Sequence, residues 1–141
     1  MKVTMMLADH AATAEGKLYI SGGGWTVTGP DPIPSAIAMV IEIPWDQTDR
    51  KHLLRLELVD ADGRAIMGQD DDGNNAPIEL DGEFEVGRPP GLPAGAATHL
   101  PMAINIGPLP LAAGGRFAWN LFIDEETREH WVLPFSTRPR P

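Results

Sequence analysis

Hydrophobic and polar residues alternate with a period of two through most of the chain, the spacing that sends successive side chains to opposite faces of a β-strand. Val3, Met5 and Leu7 alternate with Lys2, Thr4 and Met6, and Ile37, Met39, Ile41 and Ile43 alternate with Ala36, Ala38, Val40 and Glu42. The same beat runs through Leu54, Leu56 and Leu58 against Arg55 and Glu57, then through Ile78, Leu80, Phe84 and Val86 against Glu79, Asp81, Glu83 and Glu85. Met102, Ile104 and Ile106 follow, then Phe117, Trp119, Leu121 and Ile123, and last Trp131, Leu133 and Phe135. These apolar residues form the predicted core.

Gly, Pro, Asn and Asp clusters punctuate the segments at short intervals, as antiparallel strands require and crossover helices do not. Asp60-Ala61-Asp62-Gly63 reads as a hairpin turn before a short Arg64–Met67 strand, Gly114-Gly115 launches the Phe117 strand, and Asp124–Thr127 joins it to the last one. Three glycines, 22 to 24, interrupt an otherwise strand-like Leu18–Val27 and predict a bulge or bend. Prolines 30, 32 and 34 and prolines 89, 90 and 93 mark two long loops, Thr28–Ser35 and Arg88–Thr98. The one helical expectation is a single turn over Ala8–Ala14, stopped by Gly16. The pattern predicts an all-β, two-sheet antiparallel sandwich, immunoglobulin-like or a related Greek key, of eight or nine short strands. It forms one domain over residues 1–136 with a flexible tail at 137–141.

Composition narrows what such a domain does. At 141 residues the chain suits one domain with an ordinary core. Twenty acidic against eleven basic residues give a formal charge of −9, which repels a phosphate backbone and makes nucleic acid a poor partner. No cysteine is present, so disulfides, thiolate ligands and thiol nucleophiles are excluded. The opening residues carry too short an apolar run before Asp9 for a signal peptide, and no stretch is long enough to span a bilayer, so a cytoplasmic setting is expected.

Candidate chemistry is sparse. Asp70-Asp71-Asp72-Gly73-Asn74-Asn75 offers the hard oxygens that calcium wants, but Gly68 stands where an EF-hand loop needs an acid. The same residues also suit a polar turn. Glu79, Asp81, Glu83 and Glu85 stripe one face of a strand, either guarding a sheet edge against aggregation or meeting a basic partner or cations. The four histidines lie in unrelated segments without two-ligand spacing, and no serine sits in a nucleophile elbow. Paired carboxylates abound but cannot by themselves mark a glycosidase. Trp119 and Trp131 fall in phase with the core, which leaves Trp25 and Trp45 as the candidate exposed contact residues.

Tyr19-Ile20-Ser21-Gly22-Gly23-Gly24-Trp25, Thr28-Gly29-Pro30-Asp31-Pro32, Ile43-Pro44-Trp45-Asp46 and Leu58-Val59-Asp60-Ala61-Asp62-Gly63 resemble an uncharacterised family of small actinobacterial proteins with no assigned activity. The resemblance implies a bacterial, cytoplasmic setting and a compact β fold, and brings no functional residue with it. Gly114 through Phe135 is also similar to the last hairpin of immunoglobulin-like sandwiches, a likeness of fold alone. The functional expectation is a non-enzymatic binding or assembly module that contacts a protein partner or itself. Self-association would use a sheet edge or the Trp25 and Trp45 region. A calcium-binding sandwich using Asp70, Asp71 and Asp72 is the alternative, and a carbohydrate-acting enzyme the second. Calcium is the only cofactor in view.

Overall fold

The computed structural model describes all 141 residues, Met1–Pro141. Eleven strands run in the order β1 (Lys2–Ala14), β2 (Lys17–Gly23), β3 (Val27–Thr28), β4 (Ser35–Ile43), β5 (Lys51–Asp60), β6 (Met67–Gln69), β7 (Asn75–Pro77), β8 (Glu79–Glu85), β9 (Thr98–Ile106), β10 (Arg116–Ile123) and β11 (Val132–Thr137), with one 3-10 turn at Trp45–Gln47. The count exceeds the eight or nine expected because β3, β6 and β7 are only two or three residues long. No helix is long and apolar enough to cross a membrane.

A four-stranded sheet, β2-β1-β4-β9, faces a five-stranded sheet, β3-β11-β10-β5-β8, as an all-β sandwich, and β6 and β7 form a separate hairpin. All pairings are antiparallel except β3 with β11, which run parallel, so the five-stranded sheet is mixed. The core has 17 buried residues, from Val3 to Phe135, and every one belongs to the alternating set read from the sequence. Trp119 and Trp131 are both in it, at 1% and 2% exposure.

The expected helical turn at Ala8–Ala14 is instead strand. β1 runs on past its partner β4 and pairs with β2 from Ala8↔Gly23 to Ala14↔Lys17, through a two-residue turn in which Glu15 and Gly16 both have positive φ. This distal half bends over the outer face of the four-stranded sheet, where Ala8, Ala11, Ala36 and Ala38 are all buried together. Asn105 fixes the bend, donating from Nδ2 to the Ala11 carbonyl at 2.8 Å and accepting from the Ala11 N–H at 3.2 Å. Alanine's helix preference yields because only small side chains allow so close an approach.

The chain expected to fray after residue 136 is held through Arg138. Thr137 is buried in β11, and its Oγ1 donates to the Ala112 carbonyl at 2.6 Å while accepting from the Gly115 N–H at 2.9 Å. The Arg138 N–H donates to the Thr28 carbonyl at 2.8 Å.

Candidate functional site

The two sheets are not sealed along the side where β8 and β9 form their edges. In β8 the residues turned inward are Leu80, Gly82 and Phe84, so glycine occupies the middle inward position. A Cβ placed there would meet no heavy atom within 4 Å beyond its chain neighbours. The gap widens into an open groove of about 310 Å³ over Leu54, floored by Leu80, Met102 and Ile104 and rimmed by Glu79, Asp81 and Glu83. Leu80, Met102 and Ile104 are predicted core residues left only half-buried, because no further strand covers them.

The hydrogen-bonding parity of β5 determines what this edge offers. The Leu58 N–H donates to the Ile78 carbonyl and the Asp124 N–H donates to the Leu53 carbonyl, so even-numbered residues of β5 bond toward β8 and odd-numbered ones toward β10. With Leu54 opposite Gly82 and Leu53 opposite Glu83, antiparallel alternation turns the backbone N–H and C=O groups of Asp81, Glu83 and Glu85 away from β5, to the free edge. The side chains of Glu79, Asp81, Glu83 and Glu85 are exposed on the outer face. Among the four only Glu83 has an ion partner, Lys51 at 3.8 Å, with both side chains more than half exposed.

A second group of charges lies on the same sheet, and sequence reasoning missed it. Asp124 and Glu125 close the Ile123–Glu126 turn with φ of 53° and 64°. Such left-handed conformations cost a non-glycine residue about 1 kcal/mol each. Both side chains fold back onto β5. His52, at 4% side-chain exposure, has Nδ1 hydrogen-bonded to Asp124 Oδ2 at 2.7 Å and Nε2 lying 2.8 Å from the Gln47 carbonyl oxygen, and its ring stacks on Phe84.

Asp124 Oδ1 also accepts from the Leu53 N–H at 2.9 Å. Burial pushes the Asp124 carboxyl up, but the hydrogen bonds from His52 and Leu53, with the charges of His52 and Arg50, outweigh it and hold the carboxyl below its ordinary value. Arg55 Nη1 lies 2.5 and 2.6 Å from the two oxygens of Glu125, and its Nε donates to Glu57 at 3.0 Å. Those hydrogen bonds, Glu125 first, raise the guanidinium above its ordinary value. The local sequence signal was weak: His52 and Asp124 are 72 residues apart, and only the β5–β10 register brings them together.

Trp25 packs edge-on against Phe135 with ring centroids 6.3 Å apart, and its Nε1 is buried beside a cavity of about 30 Å³. Trp45 is covered by the Arg88 guanidinium, 3.6 Å from its ring centroid, and Arg88 also donates to Thr48 Oγ1 at 2.7 Å. Both indoles are half-buried, so each leaves only part of its surface free for a contact.

The aspartates of the calcium alternative lie in the turn between β6 and β7. Asp70 Oδ1 accepts from the N–H groups of Asp72 and Asn74 at 3.0 and 2.9 Å, so it caps the β6–β7 turn. Asp71 and Asp72 are exposed, and no three acidic or imidazole side chains anywhere in the chain are grouped closely enough to hold a metal ion.

No curated protein and no solved structure matches the chain. A family model does match, over residues 3–136. The chain belongs to that family, the family of unknown function DUF6941.

Proposed function

We propose that the protein is a non-enzymatic binding module that takes an extended segment of a protein partner along the free edge of β8. The observation that carries this reading is the row of outward backbone N–H and C=O groups at Asp81, Glu83 and Glu85 beside an uncovered apolar groove. Such an edge adds a strand through main-chain hydrogen bonds. The acids choose the partner. Two copies joined along β8 would set carboxylate against carboxylate, so self-association at this edge is disfavoured and a basic, heterologous segment is favoured. On the catalytic side, the buried imidazole of His52 has both nitrogens engaged and none free to take a proton from a substrate.

Amide NMR tests this directly. Titrating the labelled protein with a lysine-rich peptide of high β-propensity, at low ionic strength, is expected to shift the amides of Asp81, Glu83 and Glu85 and slow their hydrogen exchange. Shifts confined to other surfaces, or none at all, would reject the reading.

A further inference from the structure

We propose, building on that reading, that the gap at Gly82 is a side-chain pocket for one aliphatic residue of the docked strand, so that the preferred partner alternates basic with aliphatic residues. The pattern follows from the pleat. A strand added to β8 presents its side chains to alternate faces in phase with its neighbour. Its outward residues come beside Glu79, Asp81, Glu83 and Glu85, where lysine or arginine meets carboxylates that this chain leaves almost wholly unpaired. Its inward residues drop toward the opening between the sheets, onto Leu80, Met102 and Ile104, and the one nearest Gly82 reaches over Leu54.

The groove is built for a side chain from outside. The inward positions on either side of Gly82 are filled by Leu80 and Phe84, and Phe84 is buried at 7% exposure. At Gly82 alone there is neither a side chain nor a neighbouring atom within 4 Å of where its Cβ would lie. The backbone does not require glycine here, because Gly82 is absent from the glycines with positive φ. A missing Cβ with no conformational reason, over an apolar floor, is the form of a specificity pocket in strand addition.

The test uses the full chain and two fluorescein-labelled peptides that alternate lysine with valine and carry either leucine or alanine at the centre, followed by fluorescence anisotropy. The leucine peptide is expected to bind about tenfold more tightly than the alanine one, the difference one buried aliphatic side chain makes. Gly82→Val, which fills the pocket from within, is expected to abolish that preference while leaving salt-dependent binding of both peptides. Its thermal midpoint, unchanged or raised, shows that the variant folds.

Equal binding of the two peptides would overturn the pocket and leave the edge-binding reading standing. Failure of both peptides to bind at low salt would overturn both. Concentration-dependent dimerisation that Gly82→Val removes would make the occupant a second copy, and would equally overturn the proposal.

Discussion

Asp124 and Glu125 sit at a turn on the five-stranded sheet, while Glu79, Asp81, Glu83 and Glu85 sit along its edge, and the fold treats the two sets in opposite ways. At the turn each carboxylate has a side-chain partner on β5 and a strained backbone whose cost the contacts offset: His52 and the Leu53 N–H hold Asp124, and Arg55 holds Glu125. Along β8 the backbone is ordinary strand and only Lys51 approaches an acid, at 3.8 Å. The turn acids are therefore accounted for by the fold itself. The edge acids have a single long ion contact within the chain, Lys51 with Glu83, and this is what directs attention to an external partner.

Removing His52 strikes the accounted-for side hardest. His52→Ala is expected to cost about 3 kcal/mol, because it deletes a buried ring stacked on Phe84 and strips a hydrogen bond from both Asp124 and the Gln47 carbonyl. Urea unfolding measures it. A loss no larger than that of a surface substitution would dissolve the contrast between the two sets of acids.

Acid titration separates them next. Because the folded state lowers the Asp124 pKa, the stability it adds is present above the ordinary value near 4 and fades as pH falls through and below it. Asp124→Asn is expected to cost about 1 kcal/mol at pH 7, a moderate value for a side chain 47% exposed. The gap from the parent should narrow steadily below about pH 4, where the parent carboxylate is itself protonated. A gap that stays constant down to pH 2 would mean that Asp124 contributes no charge-dependent stability.

Gly82→Val should move stability the other way. A β-branched residue suits a strand, its Cβ would have no neighbour within 4 Å, and it would cover the groove, so a gain of about 0.5–1 kcal/mol is expected in thermal or urea unfolding. A loss would show that the position is closed to a side chain and the groove illusory.

How much of this could be read beforehand depended on the range of the interactions. All 17 residues of the main core cluster were visible in the alternation, because burial on one face of a strand is written at spacing two. The β8 acids were visible for the same reason, and an edge was one of their two readings. What stayed hidden was long-range. The bend of β1 over Ala36 and Ala38 depends on Asn105, and His52 meets Asp124 only through sheet register. Nothing local shows that Phe135 packs against Trp25 or that Arg88 lies over Trp45. Gly82 falls between Leu80 and Phe84 in the alternation, and only the folded chain shows that nothing lies near its Cβ position.

The smallest expected effect on stability bears most directly on the edge. Replacing Glu79, Asp81 and Glu83 together by Gln, Asn and Gln removes like charges that have one weak, exposed ion contact among them, so unfolding free energy should change by no more than about 0.5 kcal/mol. Association should change far more. The outward N–H and C=O groups of Asp81 and Glu83 would then adjoin an apolar groove with no repulsion to keep copies apart, and exposed edges of that kind pair with one another. Light scattering over a concentration series is expected to show the parent monodisperse at this edge and the triple variant associating, with Gly82→Val leaving the parent unaffected. A large loss of stability would mean that the edge carboxylates are compensated within the fold after all. A variant that stays monomeric at high concentration would mean that backbone geometry, and not charge, keeps β8 from pairing with itself.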